Sequence, residues 1–514
     1  MVEPAAHGDK STKLGRRTLL AGTAGAVAAS VGTGALTPPC AAVASAAAPD
    51  VPAVWRHAVE WTRGSDIAVR AGRDKEGRFG VMFKHAEAYA PPDELLKSLA
   101  AQMGEPTGPN PTDFDNPRIP AGFTFLGQFI DHDMTLDRTP LPEQQTDPRA
   151  LTNFDTPLFD LGSLYGRGPD QDPGLYEADR TRMRVVRNAN GVDDLPRRAD
   201  GGAIIGDARN DENLIVAQLH LVFAKFHNRL LETGLATSLA EAQRLTRWHY
   251  QWIIIHDFLE QVAGAEVVGR FLDNKGKVKR QFYKPKNPHR PMIPIEYSVA
   301  AYRFGHSMIR AGYLLNTRTT PPAAAAIFGA EGSDLRGNRP LPARLEIDWW
   351  HFFDVPGKPT TPRNRARRID GKLSLPLFNL PSTVVSDGTS ASLAERNLIR
   401  GKRLGLPAGQ DVARLMGATP LTNAELGLPD PGNAGWQGKA PLWFYLLKEA
   451  ELTRSGERLG PVGGRLVAEV ILGIMDPDKE GFLKRNPGFR PAAPIAPATG
   501  QFRIGDFIKF AQNL

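Results

Sequence analysis

The chain has almost no cysteine. With Cys40 alone among 514 residues, an intramolecular disulfide, a cysteine-based zinc site and a thiolate-held iron–sulfur cluster are all excluded. Any metal chemistry must then rest on His, Asp, Glu, Asn or a bound cofactor. Long apolar runs are missing too: the most apolar stretch, Thr18 to Ala35, is interrupted by glycine and threonine and is too short and weak for a stable membrane span. Blocks of one charge are also missing. The net charge is +7, yet lysines and arginines are interspersed with acids, which reads as general basicity and argues against a nucleic-acid-binding face. Beyond residue 50 there is no internal repeat, low-complexity linker or abrupt shift of composition. One large domain over residues 49–514 is expected.

The first fifty residues differ in kind. Lys10, Lys13, Arg16 and Arg17 precede the weakly apolar stretch, and small residues follow at Val43–Ala48. That is the order of a signal peptide, and Arg16-Arg17-Thr18-Leu19-Leu20 is similar to the twin-arginine signal that exports bacterial proteins already folded around a cofactor. Residues 1–48 are expected to be such a leader, and the mature protein to be secreted.

In the remainder, apolar residues recur at three- and four-residue spacing in Leu214–Leu231, Leu239–Leu272, Glu296–Tyr313 and Gly464–Met475, the period of buried helix faces. The 43 prolines and 51 glycines cluster between such stretches, and alternating strand patterns are scarce. The expected fold is mainly α: a single large helical domain with few short strands.

Four segments place polar groups one helical turn apart on otherwise apolar surfaces. Gln128 and His132 are i,i+4; Arg209 and Glu212, Arg303 and His306, and Asn397 and Arg400 are each i,i+3. The Arg209–Glu212 string reads as the opening of the helix that runs on to His227-Asn228-Arg229. Each pair alone would mean little.

In this order the four segments resemble the animal haem peroxidase superfamily, the myeloperoxidase- and peroxinectin-like proteins. The resemblance extends through Thr156–Gly166, the His227-Asn228-Arg229 helix and Pro441-Leu442-Trp443 to Pro461–Gly464, covering roughly residues 70–510. It implies a haem b held between helices, hydrogen peroxide as substrate and a small-molecule electron donor. The physical roles can be argued separately. Cleaving the O–O bond requires a group that takes a proton from one oxygen and returns it to the other, which an imidazole does near neutral pH, and His132 is the candidate. Arg209 would stabilise the charge on the departing oxygen, and Gln128 would hold peroxide by hydrogen bonds.

His306 matches the family's iron ligand, with Arg303 beside the haem, Asn397 as the acceptor for its second ring nitrogen and Arg400 near a haem propionate. Asp131 and Glu212 match the carboxylates that form esters with haem methyl groups, while Asn213 stands where a methionine makes a third link in myeloperoxidase. The resemblance also implies calcium, with Asp133, Thr156, the Leu158 carbonyl and Asp160 as ligands. Gly162 stands where the family usually offers a side-chain oxygen.

His220 belongs to no constellation in the sequence and reads as an ordinary core or surface residue. Two other functions compete. A fatty-acid dioxygenase of the same haem fold would need a radical-forming tyrosine three residues before His306, where this chain has Arg303; Tyr302 is one residue further back and turned by about 100 degrees on a helix. A non-catalytic haem-binding or adhesion protein would not need Gln128, His132 and Arg209 together.

Overall fold

In the computed structural model, residues 79–107, 112–135, 157–285, 291–330, 332–359, 364–385, 389–429 and 435–514 are described. Residues 1–48, expected to be a leader, and Thr156 lie outside them. Ten α-helices of seven residues or more carry the described chain: α1 (Asp93–Gln102), α2 (Gly122–His132), α3 (Leu214–Glu232), α4 (Leu239–Ile253), α5 (Ala265–Phe271), α6 (Leu393–Arg403), α7 (Gly409–Leu415), α8 (Leu442–Arg454), α9 (Pro461–Met475) and α10 (Ile504–Gln512). Sheet is confined to four two-stranded pairs among the described residues. The mainly helical expectation holds.

The two most apolar helices form the centre. Almost every side chain of α9 from Val462 to Met475 is buried, and α3 buries most of its length, so neither has a solvent face of any width. Asn213 starts α3 by accepting the Ile215 amide at 2.8 Å. The first turn of α9 is satisfied from outside: the buried Glu449 of α8 accepts the amides of Val462 and Gly463, each at 3.0 Å. Burial drives the pKa of Glu449 up to about 7, against the pull of those amides.

Aromatic stacking places α2. Phe129 of α2 stacks on Phe223 of α3 with centroids 4.5 Å apart, and Phe226 stacks on Phe507 of α10 at 3.8 Å. At its other end α2 enters through a close approach: a Cβ on Gly122 would meet the Phe352 carbonyl at 2.5 Å, and the Gly122 amide donates to that carbonyl at 2.9 Å.

Two expected helices are broken. The periodic run from Leu239 continues beyond α4 as a π-helical stretch, Ile254–Leu259, then ends at Gly264, whose φ of +100° is closed to most side chains. Only after it does α5 begin. The run Glu296–Tyr313 is a π-helical turn over Glu296–Ala300, a tight 3₁₀ segment over Ala301–His306 and then a strand, Gly312–Asn316, paired antiparallel with Ala323–Ala326. The apolar spacing is shared by all three helix types, so the pattern alone does not separate them.

That 3₁₀ segment carries Arg303 and His306, and three neighbours fix it. The Tyr302 hydroxyl donates to the Gly127 carbonyl of α2 at 3.0 Å, Trp443 Nε1 of α8 donates to the Arg303 carbonyl at 3.1 Å, and Asn397 of α6 meets both Arg303 and His306. Replacing Glu449 with alanine leaves two buried amides of α9 without acceptors. An unmet buried donor costs about 1–3 kcal/mol, so Glu449→Ala should lower unfolding free energy by about 2–3 kcal/mol in a urea titration; a change below about 0.5 kcal/mol would contradict this account of how α9 begins.

Candidate active site

His132 is the last residue of α2 and is 7% exposed. Its Nδ1 lies 2.8 Å from Asn210 Oδ1, and Asn210 Nδ2 lies 3.1 Å from Nδ1 of His220. In this arrangement His132 donates from Nδ1, leaving the Nε2 lone pair to accept a proton, and His220 accepts at Nδ1. Burial and then the charge of Arg209 lower the pKa of His132, while burial lowers that of His220 to about 4. Both imidazoles are therefore neutral at ordinary pH. Gln128, one turn earlier on the same face, is half-buried and makes no side-chain hydrogen bond among the described residues.

Arg209 sits in a short 3₁₀ turn, Ala208–Asp211, separate from α3. This corrects the expectation that the string opens the long helix: Asp207 caps the turn and Asn213 caps α3 two residues after it. Arg209 Nη2 donates to the His132 carbonyl at 2.9 Å and pairs with Asp207 at 2.5 Å. Burial alone would raise the pKa of Asp207, but the Arg209 guanidinium outweighs it and holds it down near 2. The cation beside His132 is thus one half of an ion pair.

On the 3₁₀ segment, His306 keeps some exposed surface yet is so enclosed that burial, then Arg303, push its pKa down to about 3. It offers a neutral imidazole at any ordinary pH, as an iron ligand must. His306 Nδ1 lies 2.8 Å from Asn397 Nδ2, and Asn397 Oδ1 accepts Arg303 Nη1 at 2.9 Å. The expected partner is present, but its amide is turned the other way: a ligand that uses Nε2 donates from Nδ1 and needs the amide oxygen. A half-turn of the amide would bring Oδ1 to His306 but set Nδ2 against the Arg303 donor, so the two neighbours compete for the one oxygen, and Arg303 would keep its bond to the Ser298 carbonyl. Arg400 follows Asn397 by one turn on α6.

Of the two carboxylates expected beside haem, Asp131 is half-buried and accepts the Thr135 hydroxyl at 3.2 Å. Glu212 is exposed, its carbonyl taken by the Gly337 amide at 2.9 Å. The residues expected at calcium gather in part. Asp133 and Asp160 are both buried and accept the successive amides of Leu161 and Gly162, each at 3.0 Å, with the half-buried Leu158 two residues away. The hydroxyl of Ser163 is fully buried and without a hydrogen bond among the described residues. These residues hold no group of three or more His, Cys, Asp or Glu placed for a metal, so hydroxyl and carbonyl oxygens would have to supply the remaining ligands.

The sequence reading missed Asn210, Asp207 and His220. Asp207 was visible as a capping residue two positions before Arg209, but the amide bridge between His132 and His220 joins three segments and leaves no local pattern.

The fold is shared with proteins of oxygen chemistry. It is similar to peroxidase A of Dictyostelium discoideum (TM-score 0.55, 15% identity, 80% of this chain and 90% of that one) and to a fatty acid α-dioxygenase of Oryza sativa solved with palmitic acid (TM-score 0.54, 15% identity, 83% and 77%). The class is the mostly helical fold of these peroxidases and dioxygenases. Residues 118–331 match the family model for animal haem peroxidase. Among curated proteins it is 26% identical over 226 residues to chorion peroxidase of Aedes aegypti and 24% identical over 388 residues to thyroid peroxidase of Canis lupus familiaris. Those matches span 40% and 65% of this chain but only 28% and 38% of the relatives. The family match includes Gln128, His132, Arg209, Glu212, Arg303 and His306; Asn397 and Arg400 lie beyond it, and the fold brings Asn397 back to His306.

Two measurements test the amide bridge. Asn210→Leu leaves His132 Nδ1 without its acceptor inside the protein, and unfolding free energy should drop by about 1–3 kcal/mol; an unchanged value would show that the bridge holds nothing. The second concerns pH. His220 has a folded pKa below its unfolded value near 6.5, so it destabilises the fold as pH falls from there toward about 4, where the unfolded chain takes up the proton first. His220→Gln removes that group, and the fall of stability with acid should become shallower by up to about 1.4 kcal/mol per pH unit across this window. An identical slope in the two proteins would contradict the assigned shift.

Proposed function

We propose that this chain is a haem-dependent peroxidase that reduces hydrogen peroxide and oxidises a small organic, halide or pseudohalide donor. The observation that carries the reading is His132 held neutral, with its Nδ1 tied to Asn210 and Gln128 unoccupied on the same face. Haem b, when bound, would supply the redox iron, with His306 as its ligand, Arg303 and Arg400 nearby and Asp131 and Glu212 as the carboxylates available for ester bonds. His132 Nε2 takes the proton from one peroxide oxygen and delivers it to the other, which leaves as water. Asn210 keeps that lone pair available, since its Oδ1, an acceptor facing Nδ1, holds the ring proton there and fixes the tautomer. Gln128 orients peroxide. Arg209, bonded to the His132 carbonyl, anchors the end of α2 and keeps the imidazole unprotonated until peroxide arrives.

Fatty-acid oxygenation shares the fold, and one observation weighs against it. The tyrosine nearest the required position, Tyr302, gives its hydroxyl to the Gly127 carbonyl, a poor base for the proton a phenoxyl radical must release. Arg303 occupies the position itself. A purely adhesive or haem-storing role gives no reason for a proton-accepting imidazole with its tautomer fixed. Calcium at Asp133, Thr156, the Leu158 carbonyl and Asp160 and export by a twin-arginine leader over residues 1–48, ahead of a catalytic domain at 49–514, belong to the same reading. No helix among the described residues is long and apolar enough to cross a membrane.

Purified holoprotein should oxidise a phenolic donor or bromide with hydrogen peroxide and should form no hydroperoxide from linoleic acid and oxygen. Enzymatic fatty-acid oxygenation without donor oxidation would overturn the proposal. His132→Ala should keep its haem and lose roughly 10²–10⁴-fold in the rate of peroxide reduction, whereas His306→Ala should lose the normal Soret band. After peroxide turnover, acidified butanone should leave the haem on the wild-type chain; complete extraction would remove the ester assignment alone.

A further inference from the structure

The end of α5, the segment 279–284 and α9 border an open cavity of about 580 Å³, away from the candidate active site. Arg270, Lys279, Arg280, Lys284 and Arg465 line it, with no acidic side chain among the lining residues. Its cations form two tiers. Arg280 and Arg465 are half-buried, while Arg270, Lys279 and Lys284 are exposed around them.

The lower tier is short of partners. Arg280 Nη1 and Arg465 Nε are buried and have no hydrogen-bond acceptor among the described residues. Arg465 is fixed in place: its Nη1 donates to the Met416 carbonyl at 3.0 Å and its guanidinium lies 5.5 Å over the Phe282 ring. Nearby acids compensate little. Asp476 lies 3.4 Å from Arg280 but also holds Lys484 at 2.8 Å. Glu469 accepts the amides of Gln281, Phe282 and Tyr283, so its oxygen is already shared among three donors. Arg270, Lys279 and Lys284 form no ion pair among the described residues. Burial and the neighbouring Arg270 both lower the pKa of Arg465, so like charges are pressed together here.

Solvated surface cations avoid one another and keep their donors in water. Fixed guanidiniums with buried, unmet N–H groups under a ring of further cations are arranged for an anion, because the planar fork matches tetrahedral oxyanions and charge-assisted bonds are strongest where water is scarce. We propose that this cavity binds a small anion carrying two or more phosphate or sulfate groups. Five cations around a space larger than one such group call for more than one. A nucleic acid fits less well: Phe271 is buried, and the Phe282 ring is covered by Arg465, which leaves no platform for a base.

The test is isothermal titration calorimetry of the full-length holoprotein with tripolyphosphate, against sodium chloride at matched ionic strength. One-to-one binding is expected, with sucrose octasulfate in a parallel titration separating a sulfate ligand from a phosphate one. Arg280→Gln should weaken binding about tenfold or more, the loss of one charge-assisted hydrogen bond. The exposed pair Arg270→Gln and Lys284→Gln, which cannot disturb the core, should weaken it severalfold and reduce its dependence on salt, with donor oxidation unchanged in every variant. Absence of binding, or equal affinity in wild type and these variants, would overturn the proposal.

Discussion

An imidazole enclosed by protein stays neutral unless an anion compensates its charge, and this constraint organises the centre of the molecule. His132 and His306 are enclosed deeply enough that their pKa values fall, and each sits near an arginine that lowers them further. A neutral ring is ambiguous, because either nitrogen can carry the proton. Two asparagines address that ambiguity: Asn210 meets Nδ1 of His132 and Asn397 meets Nδ1 of His306, each at 2.8 Å. An aspartate in either place would raise the ring's pKa, whereas an amide orients it and leaves it neutral. The neighbouring arginines are themselves anchored, Arg209 by Asp207 and Arg303 by Asn397 and the Ser298 carbonyl.

The elements that carry the two rings are joined through few contacts. Phe129 on Phe223 sets α2 against α3, and the Tyr302 hydroxyl on the Gly127 carbonyl joins α2 to the segment bearing His306. Gln128 and Asp131 remain partly exposed although their apolar neighbours Phe129 and Ile130 on α2 are fully buried, and Glu212 is exposed at the end of the turn Ala208–Asp211.

Much of this was legible in the residues. The long apolar helices follow from their periodicity, but their starts at the capping residues Asn213 and Ser238 do not, because the Arg209–Glu212 string reads as the opening of the first of them. His132 and His306 stand out because each has a polar residue one turn before it. What was not legible has a physical cause in each case. The segment around His306 keeps helical spacing while its backbone passes through π and 3₁₀ turns, and Gly264 ends a run whose apolar pattern continues past it. His220 looks like an ordinary core or surface residue because its partner, Asn210, belongs to another element. The orientation of the Asn397 amide is set by competition between Arg303 and His306, which no spacing encodes.

The central claim is that His306, oriented by Asn397, is the ligand of a haem iron. Resonance Raman spectroscopy of the ferrous holoprotein tests it directly, comparing ⁵⁴Fe with ⁵⁶Fe and wild type with Asn397→Asp. The account predicts an iron–imidazole stretching band that shifts with the iron isotope and moves to higher frequency in Asn397→Asp, where a carboxylate accepts from Nδ1 and makes the ring a stronger donor. The absence of such a band, or a band indifferent to Asn397→Asp, would contradict it.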